Sequence, residues 1–350
     1  MQSYPSKVPT GAFPNRPSPV VRRGSGRSRL LLGVKLALGA ILLSFVLWQV
    51  NLVHVSAILA AARPLDVALA FFCLAASVLV NAHRWYRVAA GIGRPISLRT
   101  SVIGYFESML FNQVLPTSVG GDASRVLRAI DAGVGYGWAI CGVLIDRALG
   151  LWAVAFCLAT SYLVAGPGLI HTPAFLILSA ASAVILAGSV GAAVAGEWLK
   201  PNHLPIWASA AVTLTNGFRR CVSMPGVFVL LADLALTTGF VVTSFALCAH
   251  GLGLQLGWMD ATIIVQGVTL ASILPASIGG WGLREGAAVI LMAPLGFDAS
   301  QATALSVLFG LIITALGLVG ALVWIVSSYR RRSRAAGRRV LSVRALWRTS

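Results

Sequence analysis

One short motif occurs twice in this chain, 159 residues apart. The first copy begins at Leu115 and reads Leu-Pro-Thr-Ser-Val-Gly-Gly, and the second begins at Leu274 and reads Leu-Pro-Ala-Ser-Ile-Gly-Gly. In each copy an arginine follows four residues after the second glycine, at Arg125 and at Arg284. Because proline stops a helix and paired glycines permit unusual backbone angles, each copy predicts a break in a helix. The repeat distance predicts that the chain consists of two homologous halves.

The composition places these breaks in a membrane protein. Hydrophobic residues make up 57% of the chain, charged residues make up 11%, and the mean hydropathy is +0.85. Such a chain has too few charged side chains to cover a soluble domain of 350 residues. The fold class that we expect is therefore an all-α polytopic membrane protein.

Most of the net charge of +17 lies in two tails. Residues 1–29 contain six Lys or Arg residues, residues 329–350 contain eight, and neither segment contains Asp or Glu. The positive-inside rule places both tails in the cytoplasm, next to anionic lipid headgroups. The many prolines of residues 1–29 predict a disordered tail. Neither tail is long enough for a folded reader of nucleic acid, so we expect no nucleic-acid partner.

Apolar stretches of about 20 residues predict six membrane spans. These spans lie near residues 30–50, 65–83, 136–166, 173–196, 224–249 and 300–327. Two further apolar segments, 101–119 and 261–278, end in the repeated motif and predict re-entrant or broken helices, which makes eight membrane segments. Basic loops follow the second and fourth spans. The charge distribution thus predicts a multi-pass membrane protein with both termini in the cytoplasm.

The displacement of 159 residues carries the second predicted span onto the fifth and the third onto the sixth. Residues 30–328 then form one transmembrane domain with two repeats, about 30–170 and 173–328. Each repeat contains three spans and one broken segment. Because three is odd, the second repeat enters the membrane from the opposite side, which predicts inverted-topology repeats with breaks that meet near the midplane.

Each motif also predicts an anion site. A helix that begins after the glycines presents unpaired N–H groups and the positive end of its dipole, and an arginine in the next turn adds a bidentate donor. The combination suits a phosphate group. The residues that we expect to bind the anion are Arg125, Arg147, Arg284, Gly120, Gly121, Gly279, Gly280, Ser118 and Ser277. The alternative is a structural kink whose arginines extend to the membrane interface.

Acidic side chains at membrane depth accompany these arginines. Each costs at least about 2.5–3.5 kcal/mol to insert, so each is expected to face a partner or a wet cavity. The acids that we expect to balance charge or to couple protons are Glu107, Asp122, Asp146, Asp233 and Glu285. We expect Asp146 to pair with Arg125, and Arg147 to pair with Glu107 or with a ligand. A purely structural set of buried ion pairs is the alternative.

No metal, cofactor or catalytic residue is expected. The five cysteines and five histidines are dispersed, without a CxxC pair or an HExxH motif. Ser118 and Ser277 recur in both repeats but have no histidine nearby in the sequence. No Walker A motif is present, so ATP is not the expected energy source.

Three stretches of the chain resemble the transmembrane region of the lysylphosphatidylglycerol synthase family. They run from Phe111 to Arg125, from Asp146 to Gly150 and from Leu274 to Gly286. Members often have Glu-Arg where this chain has Asp-Arg, a change that keeps the charge. The resemblance implies a flippase-like domain of the inner membrane, which in some members moves modified anionic lipids between leaflets. Only a short basic tail follows residue 328, so we expect a stand-alone member without the aminoacyltransferase domain.

We therefore expect a membrane lipid translocase rather than an enzyme. Its expected partner is an anionic phospholipid or lipid-linked substrate, bound near the bilayer midplane and moved between the leaflets, while the basic tails contact membrane lipids. Two alternatives stay open. An integral-membrane enzyme acting on a lipid phosphate can use the same anion site. A scaffold can instead recruit a separate lipid-modifying synthase through the tails.

Overall fold

The computed structural model describes the backbone of residues 52–114, 119–164, 173, 176–184, 187–188, 214–221, 226–272 and 280–346. Every regular element in these residues is helical, which confirms the all-α class for the described part of the chain. The predicted span at 30–50, the tail 1–29 and half of the predicted span at 173–196 lie outside the described residues.

The longer helices are numbered here in chain order. They are α1 Leu52–Ala60, α2 Pro64–Gly91, α3 Leu98–Val114, α4 Val119–Asp131, α5 Tyr136–Val164, α6 Val227–Gly251, α7 Trp258–Ser272, α8 Leu283–Met292 and α9 Ala299–Leu346. A short 3-10 turn, Ala293–Leu295, joins α8 to α9. Shorter helical stretches at 176–184 and 214–221 lie between α5 and α6 in the chain.

Within the described residues, four helices are long and apolar enough to cross a membrane. They are Pro64–Gly91, Tyr136–Ser161, Val227–Gly251 and Ala299–Tyr329. These helices correspond to the second, third, fifth and sixth predicted spans. The 28 residues of α2 extend about 42 Å at 1.5 Å per residue, more than the hydrocarbon core of about 30 Å. The protein is therefore a multi-pass membrane protein.

The order of helices repeats along the chain. Both α2 to α5 and α6 to α9 consist of a long helix, a shorter helix, a break, a short helix and a second long helix. The turns that follow α2 and α6 have the same geometry, because Gly93 and Gly253 both adopt a φ of 75°. In each turn the next N–H donates to a carbonyl five residues earlier, from Arg94 to Ala89 and from Leu254 to Ala249, at 2.9 Å. This cap requires glycine in the left-handed region.

The described helices end on either side of both predicted breaks. Helix α3 ends at Val114 and α4 begins at Val119, while α7 ends at Ser272 and α8 begins at Leu283. Gly280 and Gly282 precede α8 with φ angles of 79° and 87°, which a residue with a Cβ adopts only with strain. Because α4 begins before Asp122, this acid lies in the first turn and not at the cap. Ser118, Ser277 and Gly279 lie outside the described residues.

Contacts between the two halves come in matching pairs. The first helices of the halves, α2 and α6, pack along each other, α3 packs on α9, and α7 packs on α5. The Ser244 hydroxyl of α6 donates to the Ala70 carbonyl of α2 at 2.8 Å. Gly320 of α9 lies so close to the Phe106 carbonyl of α3 that an added Cβ would overlap it. This packing places the break between α3 and α4 beside the interface of the two halves.

Candidate functional site

A cavity of about 400 Å³ lies between the two halves, lined by residues of α2 to α7. Among the described residues, its charged lining consists of three arginines and two aspartates, which are Arg84, Arg125, Arg147, Asp122 and Asp146. The uncharged polar lining includes Asn81, Asn112, Gln266, Thr237 and Thr238. Apolar side chains from α5 and α6, among them Leu151, Val154, Leu234 and Val241, line another part of the wall. The cavity therefore has both a cationic and an apolar wall.

Asp146 on α5 is the centre of the charged cluster. Its Oδ1 accepts a hydrogen bond from Arg84 Nε at 2.8 Å, and its Oδ2 accepts one from Arg125 Nη2 at 2.6 Å. The Tyr105 hydroxyl donates to the same Oδ2 atom. The pairing of Asp146 with Arg125 confirms the sequence prediction. The sequence does not predict Arg84 and Tyr105 as members of this cluster. Arg84 follows the predicted second span at 65–83, where a basic loop is expected, whereas α2 continues through it to Gly91.

Arg125 is buried between two aromatic rings. Its guanidinium carbon lies 4.6 Å from the centre of the Trp85 ring and 4.0 Å from that of Tyr105, which are cation–π distances. The Nε atom of Arg125 and the Oγ1 atom of Thr237, both in cavity-lining residues, are buried without a hydrogen-bond partner. A buried polar atom left unpaired costs about 1–3 kcal/mol. Both atoms are enclosed by the surrounding side chains in this conformation.

Arg147 and Asp122 form the more accessible edge of the cluster. Arg147 Nε binds Asp122 Oδ2, and Arg125 Nη1 lies 3.6 Å from Asp122 Oδ1. The side chain of Arg147 is 30% exposed, whereas that of Arg125 is buried. Asp122 therefore connects the buried arginine to the accessible one.

Glu107 is bound by a different arginine from the one that the sequence suggested. Arg128 Nε lies 3.1 Å from Glu107 Oε2, and the Ser327 hydroxyl donates to Glu107 Oε1 at 2.7 Å. Ser327 also accepts from Arg128 Nη2 at 3.0 Å. This buried group joins α3, α4 and α9. Glu107 is not among the described residues that line the cavity.

Arg284 and Glu285 form a separate pair on α8. Arg284 Nη2 and Nε lie 2.7 Å and 3.0 Å from Glu285 Oε1, and the Gly282 N–H donates to Glu285 Oε2 at 2.5 Å. The guanidinium carbon of Arg284 lies 4.4 Å from the centre of the Trp281 ring. Neither charged residue belongs to the described lining of the cavity.

The structure thus brings Arg125 and Arg147 to one cavity but leaves Arg284 outside its described lining. The reason lies in the sequence of the second half. The position 159 residues after Asp146 is Leu305, so the second half has no equivalent carboxylate to bind Arg284. The adjacent Glu285 binds Arg284 instead and keeps its guanidinium group against α8. The two motifs therefore share backbone breaks but differ in charge.

Asp233 on α6 binds His83 of α2, with 2.9 Å between Asp233 Oδ2 and His83 Nδ1. Its neighbour Leu234 lines the cavity, whereas Asp233 is not in the described lining. In the described residues, no group of three or more His, Cys, Asp or Glu side chains is placed to hold a metal ion.

The glycines of the first motif allow α4 to begin close to α3. The Gly121 N–H donates to the Asn112 side-chain oxygen at 3.1 Å, and an added Cβ at Gly121 would overlap Asn112 and the Ser108 carbonyl. Gly120 is buried beside it. This N–H therefore already has a partner within the protein.

The comparison with known families identifies the domain that contains this cavity. The family model described as the lysylphosphatidylglycerol synthase TM region matches residues 32–321, which include every cavity-lining residue named above. Comparison with curated proteins gives no match. The family match covers most of the chain, in agreement with the resemblance seen in its motifs. The chain therefore belongs to the family of lysylphosphatidylglycerol synthase transmembrane regions.

Proposed function

We propose that this protein binds the anionic headgroup of a membrane lipid in the cavity and moves it between the two leaflets. The observation that carries the proposal is the charge of the lining, where three guanidinium groups face only two carboxylates. An uncompensated positive charge at membrane depth is costly. A bound anion removes that cost, which makes the cavity a favourable place for a phosphate group.

The apolar wall supports a lipid rather than a small soluble anion. Leu151 and Val154 of α5 and Val241 of α6 line the same cavity as the arginines. A ligand with an anionic headgroup and apolar acyl chains can contact both the arginines and the apolar side chains, whereas a free anion can contact only the arginines.

The repeated helix order supports alternating access as the mechanism. In the proposed fold, the halves are inverted repeats with eight membrane segments, and the two breaks enter from opposite faces. Movement of one half against the other would expose the cavity to each leaflet in turn. In this mechanism Arg147, the most exposed arginine of the lining, meets the headgroup first. The inner membrane is the location that the family resemblance implies, and the positive-inside rule predicts that both termini lie in the cytoplasm.

The test is a lipid-translocation assay with the purified full-length protein in vesicles. Fluorescent phosphatidylglycerol in one leaflet should reach the other faster than in protein-free vesicles. Arg147→Gln removes the net charge of the lining and should lower this rate at least about tenfold, as expected for a lost charged contact of about 1.5–3 kcal/mol. Arg99→Gln, an exposed arginine at the start of α3, is the matched control and should leave the rate unchanged.

Three results would contradict the proposal. Equal rates for wild type, Arg147→Gln and protein-free vesicles would exclude translocation of this lipid. A chemically altered headgroup, detected by mass spectrometry of the recovered lipid, would instead favour an enzyme. Loss of activity on removal of residues 330–350 alone would favour a scaffold, because these residues contribute no cavity-lining side chain among the described ones.

A further inference from the structure

We infer that Asp122 selects ligands by their charge and restricts the cavity to headgroups with a single negative charge. The inference rests on the proposed function, because it concerns the anion that the same cavity would hold. It adds a specificity-determining residue and a class of substrate, namely lipids whose headgroup carries one phosphodiester as its only charge, as opposed to phosphomonoester lipids.

The two acids of the lining differ in how they are held. Asp146 is 1% exposed and receives hydrogen bonds from Arg84, Arg125 and Tyr105. Replacing it would leave two arginines of the interior without their carboxylate, so it serves the structure of the cluster. Asp122 is 16% exposed, stands in the first turn of α4 and contacts two arginines at the cavity edge. Asp122 is therefore the acid that competes directly with a ligand for Arg125 and Arg147.

The charge balance of the lining gives the charge of the preferred ligand. Among the described lining residues, three arginines and two aspartates leave one positive charge in the cavity. The segments that connect α3 to α4 and α7 to α8, residues 115–118 and 273–279, contain no Asp, Glu, Lys or Arg, so they do not change this balance. A phosphodiester carries one negative charge and neutralises the site. A phosphomonoester carries about −1.5 to −2 at neutral pH and leaves an excess negative charge in a partly buried place.

Replacing Asp122 with asparagine should therefore reverse the preference. The substitution keeps the size of the side chain and raises the charge of the lining by one. A phosphomonoester then neutralises the cavity, and a phosphodiester leaves one positive charge unpaired. Asp122→Glu keeps the carboxylate and should keep the wild-type preference.

Competition between two lipids with identical acyl chains tests the inference. The probes are phosphatidylglycerol, a phosphodiester, and phosphatidic acid, a phosphomonoester, offered to the purified protein in neutral phosphatidylcholine vesicles at about pH 8, above the monoester's second pKa of about 6. Bound lipid is quantified by native mass spectrometry. Asp298→Asn is the matched control, because Asp298 is exposed, caps α9 through the N–H groups of Ser300 and Gln301, and can be replaced by asparagine as a cap.

We expect wild type and Asp298→Asn to bind phosphatidylglycerol about tenfold more tightly than phosphatidic acid, and Asp122→Asn to lose or invert that ratio. If Asp122→Asn does not fold, the ratio of the two lipid affinities in the wild type still tests the inference. Equal binding of the two anionic lipids by wild type, or an unchanged ratio in a folded Asp122→Asn protein, would overturn the inference and leave the proposed function intact. Binding of neither anionic lipid in preference to phosphatidylcholine would overturn both.

Discussion

The Nδ1 atom of His83 on α2 lies 2.9 Å from Oδ2 of Asp233 on α6, and a second pair of the same kind lies at the other end of these helices. There, His250 Nδ1 is 3.1 Å from Asp66 Oδ2. Each helix contributes an aspartate from its first half and a histidine from its last third. Since the start of each helix meets the end of the other, α2 and α6 run antiparallel. This relation between equivalent helices supports the proposed inverted repeat.

The first prediction concerns the strength of these two contacts. A double-mutant cycle with His83→Ala and Asp233→Ala should give a coupling energy of about 0.5–3 kcal/mol, measured by denaturant unfolding in detergent. The equivalent cycle with His250→Ala and Asp66→Ala should give a smaller value, because the side chain of His250 is 58% exposed and that of His83 is 37% exposed. Additive effects in both cycles would show that neither contact stabilises the helix pair.

The second prediction isolates the Tyr105 hydroxyl. Tyr105→Phe removes one donor from the buried Asp146 carboxylate and keeps the ring that contacts Arg125. A hydrogen bond to a charged group contributes about 1.5–3 kcal/mol, so the free energy of unfolding should fall by about that amount. Tyr136→Phe, at the exposed start of α5, is the matched control and should change stability little. An equal effect of the two substitutions would contradict the role of Asp146 as the centre of the cluster.

The third prediction tests the packing of the second motif. Gly310 of α9 lies against Arg284, and an added Cβ would overlap its guanidinium group. Gly310→Ala should destabilise the protein by about 1–3 kcal/mol, the usual cost of overpacking. Gly239→Ala on α6 is the control, since no atom lies within 4 Å of the added Cβ. A thermal-unfolding midpoint that is unchanged by Gly310→Ala would mean that Arg284 is free to leave this position.

The helix breaks could be read from the chain because they are local. Proline at positions 116 and 275 and the following glycines stop the helix whatever surrounds them, and the structure ends α3 and α7 just before these residues. Four of the predicted spans are likewise present, because a long apolar run is sufficient to specify a membrane helix.

The composition of the charged cluster was only partly predictable. The pair Asp146 and Arg125 followed from charges at membrane depth, which need partners. Arg84 escaped prediction because a basic residue near the end of a span is also typical of a cytoplasmic loop. Its side chain joins the cluster only because α2 continues for seven residues beyond it and packs on α5.

By itself, the sequence determined the membrane class, the repeated order of helices and the two breaks, since each follows from hydrophobicity or from the backbone preferences of proline and glycine along a short stretch. Only the tertiary structure decided which arginines share a cavity. Arg125 meets Asp146 across two helices, whereas Arg284 meets the adjacent Glu285, because the second half has a leucine where the first has its aspartate. Ion pairs depend on distances of a few ångströms between helices, and a repeat in the chain does not specify those distances.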